Sequence, residues 1–148
     1  MIRLHRLFGV GVLAVSVGVL SGCGGAAASP TSPTSSTVSA TGTWVDGQAT
    51  WRLVQDGSTV TGTTEFINDS NAVLGTYSGR GVVLGTMSGS SLTFADTYTS
   101  LTVPNCREDV TGTATVGPVT ITGGYTQIDT CGGQVVFTLS GRFTMSKQ

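Results

Sequence analysis

Histidine is almost missing from this 148-residue chain: its one copy, His5, sits in an N-terminal segment expected to be removed. The domain that follows therefore has no imidazole base, no Ser-His arrangement and no histidine-ligated zinc, and no enzymatic activity is expected of it. Basic residues are sparse too. Beyond residue 23 they are Arg52, Arg80, Arg107, Arg142 and Lys147, against the eight acids Asp46, Asp56, Glu65, Asp69, Asp96, Glu108, Asp109 and Asp129. They form no cluster that could neutralise several phosphates, so neither nucleic acid nor polybasic attraction to anionic lipid is expected. A convincing period of 3.6 is absent, and no apolar run reaches the roughly 20 residues of a comfortable transmembrane helix. No Cys, His or carboxylate set stands at metal-ligand spacing, and no cofactor is expected.

What is present begins with an export signal. Met1 to Arg6 carries Arg3 and Arg6, and the uncharged stretch Leu7 to Leu20 follows, interrupted by Gly9, Gly11 and Gly18. That layout is a secretory signal over residues 1–22. It ends in Leu20-Ser21-Gly22-Cys23, which resembles the lipobox of bacterial lipoproteins. The resemblance implies that Cys23 receives diacylglycerol on sulfur, becomes the new N-terminus and is N-acylated, palmitate being the expected chain. The protein would then be anchored to the bacterial cell envelope without spanning a membrane. Gly24 in place of Asp after the Cys points to the outer rather than the inner membrane. The alternative is an ordinary signal cleaved nearby, with Cys23 a free thiol.

Residues 23–40 comprise that Cys and a run with no charge, no aromatic and Val38 as its single large apolar residue. Such a segment cannot bury a core and reads as a flexible tether. Residues 41–148 make one small domain of period two. Trp51 and Leu53 alternate with Thr50 and Arg52; Val60, Gly62, Thr64 and Phe66 with Thr59, Thr61, Thr63 and Glu65; Val110, Gly112, Ala114 and Val116 with Thr111, Thr113 and Thr115. Val135, Phe137, Leu139, Gly141 and Phe143 repeat the scheme. One face is dry and the other is threonine, the pattern of antiparallel strands. Eight strands are predicted, near 43–55, 58–66, 72–78, 81–88, 91–98, 109–116, 119–126 and 134–145, separated by turn signals such as Asp56-Gly57, Asn68 to Asn71, Gly79-Arg80-Gly81 and Gly117-Pro118. A Thr-Gly-Thr unit recurs at 41–43, 61–63 and 111–113, with Leu-Gly-Thr at 74–76 and 84–86. Glycine in strand after strand suits a tightly coiled sheet. The expectation is an all-β, up-and-down antiparallel barrel with the glycines inside, and a β-sandwich is the alternative. By the same parity Val73, Tyr77, Val83 and Met87 turn inward.

Gly42-Thr43-Trp44, opening a meander of strands, resembles the Gly-x-Trp start of the calycins, the superfamily of lipocalins and avidins. The resemblance implies a barrel with an internal ligand and an Arg of the last strand stacked on the Trp. Arg142 is the candidate, although its parity turns it away from Leu139 and Phe143 unless a bulge intervenes. The later-strand tryptophans on which avidins bind biotin have no counterpart here, so biotin is not implied.

Cys106 and Cys131, an even pair in an exported protein once Cys23 is lipidated, are expected to form a disulfide. Glu108 and Asp109 are expected at the solvated end of a loop. Asp96 falls on the apolar side of Leu92-Phe94-Asp96-Tyr98, where a carboxylate needs partners or a barrel mouth. The candidate ligand-lining residues are Trp51, Phe66, Asp96, Tyr98, Tyr125 and Phe137, which core filling would equally explain. The reading is a membrane-anchored, non-enzymatic envelope lipoprotein that binds a small apolar ligand or an envelope partner. The alternative is a structural or surface-display lipoprotein with a filled barrel.

Overall fold

The structure is a computed structural model and describes residues 38–148; the signal, the lipobox and most of the tether lie outside the described residues. Eight antiparallel strands, β1 (Gly42–Val45), β2 (Ala49–Asp56), β3 (Thr59–Asn71), β4 (Gly75–Ser88), β5 (Ser91–Leu101), β6 (Cys106–Val116), β7 (Thr120–Cys131) and β8 (Gln134–Lys147), follow one another around a closed barrel. Every consecutive pair is hydrogen-bonded and β1 closes on β8. The expected all-β barrel is therefore the fold.

Its strands are cut differently from the sequence expectation at two places. The predicted first strand, 43–55, is a hairpin. Asp46 accepts bonds from the backbone N–H groups of Gln48 and Ala49 at 3.2 and 2.8 Å, and Gly47 takes a φ of 103°, so the chain reverses after Val45. This turn resolves a parity conflict, since Trp44 and Trp51 are an odd number apart yet face each other across the hairpin, both buried. Conversely, the predicted turn at Gly79-Arg80-Gly81 is uninterrupted strand, and the predicted strands 72–78 and 81–88 merge into β4. The register slips by one residue of β5 there, a bulge that bends the wall. The turn falls instead at Asn71–Gly75, where Asn71 Oδ1 accepts from Val73 and Leu74 N–H. Val73, expected inside, is consequently 54% exposed, whereas Tyr77, Val83 and Met87 are buried as parity demands.

Threonine faces water and the apolar residues fill the lumen. Inward glycines lie beside large side chains: a methyl at Gly112 would meet Phe94 Cζ at 2.8 Å, and one at Gly141 would meet the Tyr125 hydroxyl at 2.7 Å. Each vacates the space that its neighbour's ring occupies, which is how a narrow barrel accommodates aromatics. One end of the lumen is solid. Trp44, Val60, Met87, Leu92, Val116, Ile121 and Met145 fill it, with Ala40 fully buried among them and Val38 packed against them. The last residues assigned to the tether thus belong to the core, and Trp44 Nε1 donates to Ala40 O at 2.7 Å. Lys147 Nζ stands 5.0 Å from the centre of the Trp44 ring. A cation of the last strand does cover the first-strand Trp, but it is Lys147 and not Arg142.

The expected disulfide is formed between Cys106 at the start of β6 and Cys131 at the end of β7.

Candidate functional site

The other end of the barrel is hollow. β1 is four residues long and meets β8 only at Trp44–Lys147 and Val45–Ser146, while β8 runs on for fourteen. Among the described residues no strand pairs with the remainder of β8 on that side. The gap leads, between the Asp46–Gln48 turn and the β8 edge at Leu139–Thr144, into a cavity of ≈ 440 Å³. That volume lies within the range of small-molecule sites.

Aromatic rings build the walls. Trp51 packs edge-on against Phe94 with ring centres 5.0 Å apart, Phe143 lies 5.5 Å from Trp51 and 5.7 Å from Phe94, and Tyr125 stands 6.3 Å from Phe143. A second group, Phe66, Tyr77 and Tyr98, packs edge to face. Of the candidates read from the sequence, Trp51, Phe66, Asp96, Tyr98 and Tyr125 all line the cavity. Phe137 does not. Val136 is the extra residue of a bulge in β8, and Phe137 pairs with Asp129 away from the opening. Phe94, Glu108, Val110, Gln127 and Phe143 line it without having been singled out.

Three carboxylates are buried inside: Asp96, Glu108 and Asp129 are 1, 4 and 0% exposed. The expectation of a solvated loop for Glu108 is corrected. Strand β6 begins at Cys106, not near 109, so Glu108 pairs with Tyr98 and Asp129 on the inner face, while Asp109 stays outside and bonds Arg107 at 2.7 Å. Two of the three buried acids are well supported. Glu108 accepts from the Tyr77 hydroxyl at 3.0 Å; Asp129 accepts from Gln127 Nε2 at 3.0 Å and Asn71 Nδ2 at 2.8 Å. Asp96 is not. Its Oδ2 accepts from Trp51 Nε1 at 3.0 Å, but Oδ1 is buried with no partner. The hydroxyls of Thr64 and Tyr98 beside it bond each other at 2.7 Å, which uses one of their two protons.

Burial without a counter-charge favours the neutral acids. Loss of hydration lifts Asp96 to about 7, against the pull of the neighbouring hydroxyls and the Trp51 N–H. Glu108 is lifted to about 8, first by burial and then by the negative charges of Asp129, Asp69 and Asp96, with the Tyr77 hydrogen bond opposing. Burial also raises Asp129. The Tyr77 and Tyr98 hydroxyls are pushed upward by burial and by the acids beside them, so both stay protonated donors. Among the described residues the ion pairs, Arg52 and Arg80 with Glu65 and Arg107 with Asp109, all involve acids outside this cluster. No cluster of three or more metal-ligating side chains occurs among the described residues.

Comparison with known proteins finds no matching family model, no matching curated protein and no matching solved structure.

Proposed function

We propose that this protein is a lipid-anchored, non-enzymatic protein of the bacterial envelope whose barrel holds one small, largely apolar molecule in its hollow end. A single observation carries the reading: an aromatic-walled cavity of ≈ 440 Å³ opens to solvent and is lined by Asp96, whose buried Oδ1 has no partner. An eight-stranded barrel is just wide enough for its own side chains or for one small ligand. Half of this lumen is filled and half is not. A purely structural barrel gains nothing from a carboxyl oxygen left without a partner in its interior, where a buried polar group costs stability unless it is bonded.

The Gly42-Thr43-Trp44 opening and the Lys147 cation over Trp44 support a calycin-like affinity. Leu20 to Cys23 supports the anchor, placed in the outer membrane. Ala40 enters at the solid end, next to the β2–β3 turn through its bond from N–H to Gln55 Oε1 at 2.8 Å.

The test is a fluorescence titration of the purified protein with N-phenyl-1-naphthylamine, a neutral apolar dye. Saturable enhancement at one site, lost when Leu139→Trp plugs the mouth, is the expected result. No enhancement, or enhancement that Leu139→Trp leaves unchanged, removes the lumen as a binding site.

A further inference from the structure

We propose, building on the lumen as a ligand site, that its ligand is a small organic cation: an amine on an aromatic or aliphatic body, with the ammonium group seated on Asp96. The free Oδ1 of Asp96 carries the argument. Asp129 has a donor on each oxygen and Glu108 has one from Tyr77, and neither is left with a buried oxygen lacking a partner. Asp96 has been given one donor, for one oxygen, at a position 1% exposed on the wall of the cavity. A buried acceptor left open costs free energy unless a guest fills it.

Charge selects the guest. Asp46, Asp69, Asp96 and Glu108 line the cavity, with Arg142 at its edge as the lining cation. An anion entering would face Asp46 and Asp69 together with Asp96 and Glu108 wherever these ionise, and a neutral donor would leave that acidic lining uncompensated. A cation answers both the open oxygen and the field. The walls agree, because the faces of Trp51, Phe94 and Phe143 attract an ammonium group as well as an apolar body. No cluster of three metal-ligating side chains occurs among the described residues, which favours an organic cation over a metal ion.

Calorimetric titration of the purified protein at neutral pH with three probes of one shape tests this: 2-phenylethylamine, 2-phenylethanol and 3-phenylpropionate. The amine is expected to bind about tenfold more tightly than the alcohol, the value of one hydrogen bond to a charged group, with the carboxylate weakest. Asp96→Asn is expected to abolish the preference for the amine, the amine losing more affinity than the alcohol. The comparison of the three probes on the unmodified protein stands even if the variant folds poorly. Equal affinity for amine and alcohol overturns the cation and means that water or a neutral donor meets Oδ1. So does dye binding without amine binding, and in both cases the lumen survives as an apolar site. Failure of the dye and all three probes overturns both readings.

Discussion

Asp96→Asn should make the domain insensitive to pH where the native protein is sensitive, and the size of the effect follows from the geometry. The Asn carbonyl can accept from Trp51 Nε1 as Oδ2 does at 3.0 Å, and the amide nitrogen takes the place of Oδ1, which has no partner to lose. The substitution therefore mimics the protonated acid, with a constant offset for the new unpaired N–H. The native carboxyl behaves otherwise. It ionises near its ordinary 3.8 when unfolded and at about 7 when folded. Between those values the unfolded state has released a proton that the folded state keeps, so stability falls as pH rises and levels off above the folded value. At about 1.4 kcal/mol per pH unit, the step from pH 5 to pH 8.5 costs the native protein ~3 kcal/mol through this group. Glu108 adds its own loss in both proteins, a smaller one in the variant because the Asp96 charge that helps to raise it is gone, so the divergence has the same sign. Thermal melts of the pair across that range should diverge by roughly 10 °C, the variant gaining relative to the native protein as pH rises. Two Tm curves that run parallel from pH 5 to 8.5 would refute the buried, counter-charge-free carboxyl.

Other perturbations address separate parts of the structure. Cys106 and Cys131 should give no free thiol in the oxidised domain, and reduction should remove about 3 to 4 kcal/mol by releasing a 25-residue separation, seen as a lower Tm. Tyr77→Phe removes the donor to Glu108 and the acceptor of Asn71 and Gln127, and should cost about 1 to 3 kcal/mol in a denaturant melt. Gly112→Ala drives a methyl against the Gly124 carbonyl oxygen and to 2.8 Å from the Phe94 ring, and should destabilise by ~1 to 3 kcal/mol while altering dye binding, because Phe94 is a cavity wall. Cys23→Ala should shift the protein from membrane to soluble fractions without changing its Tm; a variant that still resists alkaline wash of membranes contradicts the lipobox.

The fold was legible because its two determinants are local. Alternation of threonine with apolar residues fixes which face is dry, and glycine at inward positions fixes how tightly the sheet can curl. Those signals hold through β3 as far as Phe66, through β5, and through β6 from Val110 onward. They fail where a bulge or an unusual turn shifts parity. Asp46-Gly47 is a hairpin signal hidden inside what reads as one long strand, and the bulges near Gly81 and Val136 depend on the register taken with the next or preceding strand. The bulge at Val136 turns Val135, expected on the dry face, outward, while Phe137 keeps its parity opposite Asp129 and lies beyond the residues that line the cavity.

The site was half legible. Asp96 stood out because a carboxylate broke an apolar parity in its own strand. Glu108 broke none, since Cys106-Arg107-Glu108-Asp109 carries no alternation, and only its register with Tyr98 and Asp129 turns it inward. The alternation of Phe94 and Phe143 placed both on the dry face, and nothing in it separates a filled lumen from a hollow one. That difference arises where β1 ends after four residues and leaves the β8 edge uncovered.

The two tryptophans permit the most direct test of a lumen site above Asp96. Their indole N–H groups report opposite ends of the barrel: Trp51 donates to Asp96 in the hollow end, and Trp44 donates to Ala40 O in the solid end. In a 1H–15N spectrum of the protein titrated with 2-phenylethylamine, and in parallel with 2-phenylethanol, the Trp51 indole resonance should move to saturation with at least one of them while that of Trp44 stays in place. Movement of both resonances together, or of neither at saturating probe, would contradict the account.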